Sequence, residues 1–311
     1  MVGAGGLLGR HVAERLSGSG GVLTTRIPWG DATESRAALE NGLRTLRRRA
    51  GGGPWNIAWC AGAGVLATGE EQLEAERTTF AGFLGVLASC DSASDGAFFL
   101  ASSAGGIYAG SAHPPFTEAT SPRPLSAYGE VKLAMEGDLA AVAHACGMRT
   151  VIGRVANVYG RGQNIDKPQG LVSQLCKARF TGKPVSIHVP LDTLRDYLYV
   201  ADCAEMVAAA LRQVRRLRMD HADPVVVKVI ASGQSTSIVG LIEQTRRVLR
   251  RRPPVLVAAA QVARTQARDL RLHTVVWPEL DSARRTPLPV GIAATAADVQ
   301  QRLRSRRGDH V

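Results

Sequence analysis

Gly3-Ala4-Gly5-Gly6-Leu7-Leu8-Gly9 stands two residues from the start of this 311-residue chain, and its reading decides the fold. Glycines at this spacing let a backbone turn tightly and approach a pyrophosphate. The helix that opens there offers N–H donors and the positive end of its dipole. Alone, such a turn is weak evidence. It gains weight from the residues downstream, where apolar strand-like runs alternate with helical patterns as parallel βαβ units require. Helices are expected over 10–16, 33–49, 72–88 and 126–145, and strands over 21–27, 56–61, 97–101 and 149–155. Beyond residue 157 the pattern is mixed, with short strands over 185–189, 197–200, 225–230 and 255–259 and helices over 201–211 and 238–249. The expectation is an α/β fold. A doubly wound parallel sheet over 1–156 carries a smaller mixed lobe over 157–311, some of whose late segments return to the core.

Composition narrows the class. A hydrophobic fraction of 45% is that of an ordinary globular protein. No run of about 18 apolar residues suggests a membrane span, and the Gly-rich start leaves no room for a signal peptide. Cys60, Cys90, Cys146, Cys176 and Cys203 are scattered without a CxxC pair, which reads as reduced thiols in a cytoplasm, not a disulfide frame or a metal site. The net charge of +11 is almost all arginine, since only five of the 38 basic residues are Lys. Runs such as Arg47-Arg48-Arg49 and Arg250-Arg251-Arg252 read as solvated helix ends. No aromatic-interleaved basic patch accompanies them, so neither nucleic acid nor membrane is an expected partner. A basic surface would, however, attract an anionic nucleotide-diphosphate substrate.

The second chemical motif is Tyr128-Gly129-Glu130-Val131-Lys132. On a helix, residues four apart share a face, so the Lys ammonium lies near the Tyr phenol and favours its ionised form, as a general base requires. Such a pair is common by chance. It matters because a strand ending in Ser102-Ser103 precedes it, and a hydroxyl there could polarise the same substrate oxygen.

In this order the three elements resemble the extended short-chain dehydrogenase/reductases, specifically the NAD-dependent epimerase/dehydratase family. Further segments are similar to that family's motifs: Trp59-Cys60-Ala61-Gly62 beside the cofactor, Pro124-Leu125-Ser126-Ala127-Tyr128-Gly129 before the catalytic Tyr, Arg154-Val155-Ala156-Asn157-Val158-Tyr159-Gly160, Arg195-Asp196-Tyr197-Leu198-Tyr199-Val200, and Ser232-Gly233-Gln234-Ser235-Thr236-Ser237-Ile238. The resemblance implies a Rossmann-like sheet and an NAD-binding enzyme acting on a nucleotide-activated sugar. Tyr128 would be the acid/base, Lys132 its electrostatic partner and a contact of the nicotinamide ribose, and Ser103 a hydrogen-bond partner of the same sugar oxygen. Gly3, Gly6, Leu7, Leu8 and Gly9, with Ala61 and Gly62, would line the cofactor. Asn157 and Arg195 would bind the substrate's diphosphate region; a structural ion pair of Arg195 with Asp196 or Asp202, and a capping role for Asn157, are the alternatives.

Three departures stand out. The chain begins just ahead of Gly3, so the sheet's central first strand is expected to be nearly absent, and stability and dinucleotide affinity are expected to suffer. The stretch from Gly9 to Ala61 is short by one strand–helix unit. The usual acidic residue that holds the adenosine ribose is not evident directly after Ile27, and Arg26 nearby would suit a 2′-phosphate, so NADP is the alternative to NAD. Finally, the hydroxyl expected four residues before Tyr108 is replaced by Ala104; a one-residue bulge in Ala104-Gly105-Gly106 is expected to return Ser103 to the site.

With no carboxylate in 104–106, the resemblance favours an epimerase over a dehydratase. Tyr128 would take a proton from a sugar hydroxyl as hydride passes to the nicotinamide, and the returning hydride would reduce the keto-sugar. An NADPH-dependent carbonyl reductase is the rival of the same fold. A non-catalytic sensor or scaffold is the rival of another class. A homodimer is implied, pairing through the helices over 72–88 and 126–145, with Phe80, Phe83, Leu84 and Leu87 either on that face or in the core.

Overall fold

Burial on both faces of one inner strand explains the layering. The computed structural model describes residues 1–18, 21–62, 68–90, 93–217, 223–258, 267–281 and 285–308. In chain order the first half contains α1 (Leu7–Ser17), α2 (Ala32–Ala50), β1 (Trp55–Trp59), α3 (Glu70–Ala88), β2 (Gly96–Ser103), α4 (Ala104–Ile107), α5 (Ala127–Cys146) and β3 (Arg149–Val155). The second half contains β4 (Asn157–Tyr159), α6 (Leu171–Thr181), β5 (Val185–Ile187), β6 (Leu194–Tyr199), α7 (Val200–Val214), β7 (Val225–Ile230), β8 (Ser235–Ser237), α8 (Ile238–Leu249), β9 (Val255–Val257), β10 (Asp269–Leu270) and α9 (Leu288–Gly308).

Successive residues of a strand point to opposite faces. In β2, Phe98 and Leu100 pack with Trp59, Phe80, Phe83, Leu84, Leu87, Met135 and Leu139, so α2, α3 and α5 cover that face. Ala97 and Phe99 pack with Val12, Val207 and Leu211, so α1 and α7 cover the other. Both faces are buried, as a parallel sheet demands. Phe80, Phe83, Leu84 and Leu87 are thereby core residues of a single chain and offer no dimer face.

The main sheet runs β1–β2–β3–β7, all parallel. Val2 extends it, pairing in parallel with Trp59 on one side and Thr25 on the other. The Val2 N–H donates to the Ala58 carbonyl at 2.9 Å, the Val2 carbonyl accepts from the Cys60 N–H at 2.9 Å, and the Met1 carbonyl accepts from the Thr25 N–H at 3.0 Å. The central strand is therefore short but satisfied on both edges. The strand expected over 21–27 reduces to one bridge at Thr25, because its neighbour is too short to pair with more of it. No further strand lies outside Thr25 among the described residues, which accounts for the short stretch between Gly9 and Ala61.

The second half builds a core of its own from Val172, Leu175, Ile238, Leu241, Ile292, Ala296 and Val299, carried by α6, α8 and α9. Beside it lie the small sheets β10–β6–β4, with β8 on β6, and β5–β9. The strand expected over 255–259 ends at Val257, and residue 259 lies outside the described residues. Arg47, Arg48, Arg49, Arg246 and Arg247 occupy the last turns of α2 and α8, where cations complement the carbonyl end of the helix dipole. No helix among the described residues is long and apolar enough to cross a membrane.

Candidate active site

Strand order reverses at Val2: Thr25 pairs on one edge and β1 on the other, so a crevice opens where the strands end. Gly3 holds a left-handed φ of 90°, and a Cβ there would overlap the backbone of Cys60 and Ala61. A Cβ on Gly9 would overlap the Gly3 carbonyl, so α1 closes onto the turn only as glycine. No side chain caps α1. The turn ahead of it borders a cavity of about 800 Å³ lined by Gly3 to Gly6, the 24–31 segment, Glu34, Cys60, Ala61 and Gly62, while Leu7, Leu8 and Gly9 of the expected cofactor set stand behind that lining. A glycine cradle and a helix start without a side-chain cap fit the pyrophosphate of a dinucleotide. Arg26 is exposed on the rim and Trp29, 38% exposed, stands beside it. Asp31 lines the same rim, and its carboxylate caps α2 by accepting from the Glu34 N–H at 2.8 Å. Ala63 and Gly64, which follow Gly62 in the sequence, lie outside the described residues.

At the Gly62 end of this cavity sits the Tyr–Lys pair. Ser126 caps α5 by accepting from the Gly129 N–H at 3.2 Å, which places Tyr128 in the first turn and Lys132 one turn on. The Lys132 ammonium lies 5.8 Å from the Tyr128 ring centroid. A Cβ on Gly62 would come within 3.3 Å of it. Its bonded partner is Glu76 of α3, at 2.6 Å, with Lys132 5% and Glu76 1% exposed. Burial works against the Lys132 charge, but the neighbouring Tyr128 and the Glu76 carboxylate outweigh it and raise the ammonium above its ordinary value.

The bulge expected at 104–106 does not form. Those residues make the one-turn helix α4, which Ser103 caps by accepting from the Gly106 N–H at 3.1 Å. Ser103 thus ends β2 with its hydroxyl proton still available. Ser102 instead points to Glu136, donating at 2.6 Å. Beneath the site Glu136 is paired with Arg154 at 2.7 Å, and Arg154 donates to the Tyr108 phenol at 2.7 Å. Burial pushes that phenol up, with Arg154 pulling the other way.

Asn157 and Arg195 line a second cavity of about 340 Å³ with Tyr159, Gln163, Gln169, Leu171 and Tyr197. Asn157 sits in β4 and donates to the Asp196 carbonyl at 3.0 Å, so it caps neither a helix nor a turn. The alternative of an Arg195 ion pair with Asp196 or Asp202 is not what forms. Its Nη1 donates to the carbonyls of Leu194 at 2.9 Å and Ala267 at 2.8 Å, and burial lowers its proton affinity. The loop that brings Gln163 here is fastened to α9: the Gly162 N–H donates to Asp298 at 3.0 Å, Arg302 to the Gln163 carbonyl at 2.9 Å, and Arg306 to Asp166 at 2.6 Å.

Glu76 was invisible to spacing rules because it interrupts an apolar stripe. Leu73, Phe80, Phe83 and Leu87 are buried on the same face of α3, and a carboxylate among them is the signal that a buried cation stands opposite.

Fold and cavity together define a doubly wound, dinucleotide-type α/β protein with a Tyr–Lys pair at its crevice. A sequence model of the NAD dependent epimerase/dehydratase family matches residues 1–222, and the chain belongs to that family. It is 30% identical over 143 residues to dTDP-4-dehydro-6-deoxyglucose reductase of Escherichia coli, covering 46% of this chain and 42% of that protein. It is 32% identical over 130 residues to dTDP-L-rhamnose 4-epimerase of Burkholderia thailandensis, covering 41% and 34%. The chain thus matches less than half the length of either relative. In fold it is similar to MoeE5, solved with UDP-glucose and NAD, at a TM-score of 0.80, 22% identity and coverage of 97% and 98%.

Proposed function

We propose that this protein binds NAD in the glycine-cradled cavity and inverts one carbinol centre of a nucleotide-diphosphate sugar. The carrying observation is the Lys132 ammonium, 5.8 Å from the Tyr128 ring and against the Gly62 end of the cavity. When bound, the nicotinamide supplies reversible hydride acceptance. Tyr128 removes the proton from the sugar hydroxyl and later returns it. Lys132 stabilises the phenolate in the interval, and Ser103 donates to the same oxygen. Arg195 and Asn157 hold the diphosphate region in the second cavity, Arg195 through its positive charge. The epimerase among the relatives and the nucleotide sugar bound by MoeE5 support this reading. A cytoplasmic location and a homodimer belong to it, the pair formed through the outward faces of α3 and α5.

One observation favours a second reading. Arg26, exposed on the cavity rim, suits a 2′-phosphate and hence an NADPH-dependent reductase, and a reductase is also among the relatives. The purified protein decides between them by its absorbance in the nicotinamide band and by the mass of any released cofactor. Tightly held NAD supports the epimerase. Exchangeable NADPH supports the reductase. Absence of both leaves a sensor or scaffold.

A further inference from the structure

We infer that Glu76 is a positioning residue of the acid/base site, holding the Lys132 ammonium charged and fixed between the Gly62 strand end and the Tyr128 phenol; this rests on the reading of Tyr128 and Lys132 given above. Three observations carry it. The carboxylate and ammonium are 2.6 Å apart and both side chains are buried, so water does not share the bond. The pair lies where α3 crosses α5, and the atoms nearest to a Cβ added at Gly62 are Glu76 Oε1 at 3.1 Å and Lys132 Nζ at 3.3 Å. Glu76 therefore touches the floor of the cofactor cavity through Lys132. On the Lys132 helix Glu136 is tied to Arg154 of β3 and to Ser102 of β2, and Asp138 to Arg77 of α3. Tyr128 and Glu76 are the groups left to act on the ammonium.

The physical consequence has a definite sign. A buried ammonium without a counter-ion sheds its proton more easily, and an opposite charge within bonding distance restores it. Glu76 raises the pH at which Lys132 becomes neutral. Below that pH Lys132 stabilises the Tyr128 phenolate, and above it the stabilisation is lost. Removing the carboxylate moves this loss to lower pH.

The test uses Glu76→Gln, Glu76→Asp and Tyr128→Phe in the full chain. Only five lysines are present, so the Lys132 Nζ can be followed by side-chain nitrogen NMR without substrate or cofactor. In Glu76→Gln its titration midpoint should fall by about 1–3 pH units. The alkaline limb of the kcat profile should move down by the same amount while KM for the sugar changes little. Glu76→Asp keeps the charge but withdraws it by one methylene, so it should retain the titration and lose part of kcat. It also serves as the second variant if Glu76→Gln does not fold. An unchanged Lys132 midpoint in folded Glu76→Gln, with Tyr128→Phe inactive, overturns the role of Glu76 alone. A fully active Tyr128→Phe overturns the acid/base reading instead.

Discussion

Gly106 and Gly129 meet backbone to backbone. A Cβ on Gly129 would overlap the Gly106 carbonyl, and one on Gly106 would stand 3.0 Å from the Tyr128 ring. This contact lets α4 close over the first turn of α5. Gly129→Ala should therefore lower stability by about 1–3 kcal/mol through overpacking and reduce activity with it. Gly137→Ala, on the same helix but with nothing within 4 Å, should stabilise by about 0.5–1 kcal/mol. Melting curves of the two variants check the contrast. A Gly129→Ala protein that melts like Gly137→Ala would mean α4 yields freely.

Tyr128→Phe should cut turnover by about 10²–10⁴-fold with an unchanged melting temperature, because the ring and its packing are retained. Near wild-type turnover would remove Tyr128 from the chemistry.

Gly6 separates binding from folding. A Cβ there meets only the Gly3 carbonyl, at 3.4 Å, and the residue lines the large cavity. Gly6→Val should cost little stability in the absence of ligand, yet lose most of the rise in melting temperature that NAD produces by mass action. An intact NAD-induced rise would place the pyrophosphate elsewhere.

Glu136 and Arg154 form a buried pair under the active site. Glu136→Gln strands the guanidinium, and breaking such a pair costs about 3–5 kcal/mol. The double change Glu136→Gln/Arg154→Met should recover part of that loss. If the single and double variants melt alike, the pair is not the source of the cost.

Below Val2 a cleft of about 420 Å³ is lined by Met1, Leu16, Leu23, Leu46 and Trp55. Four apolar β-branched residues placed ahead of Met1 should pair there, raising both melting temperature and dinucleotide affinity. Equal melting of the two proteins would show that Val2, satisfied on both edges, already suffices.

Helices with clear caps were legible from sequence almost to the residue: α5 begins after Ser126, and α8 spans 238–249 as expected. The fully apolar strands β2 and β3 were equally plain. What escaped depended on partners distant in sequence. Residues 21–27 have strand composition but lack a neighbour long enough to pair with. Residues 104–106 form a helical turn, not a bulge, because Ser103 supplies the cap. The apolar positions of α3 did not reveal whether they faced a second copy or the sheet; the aromatic packing of Phe80 and Phe83 on Trp59 decides for the sheet. The closeness of Tyr128 and Lys132 followed from their spacing, whereas Glu76, 56 residues upstream of Lys132, had no spacing to betray it.

The fastening of the 162–166 loop to α9 gives this protein a remote tuning screw. Asp298, Arg302 and Arg306 stand outside the second cavity, yet they set the pose of the loop that supplies Gln163 to its wall. Substitutions near the C-terminus can thus reshape what the cavity admits while the sheet, the glycine cradle and the Tyr–Lys pair stay untouched. A laboratory seeking to alter what the second cavity admits would do well to randomise the outer turns of the last helix before disturbing the pocket itself.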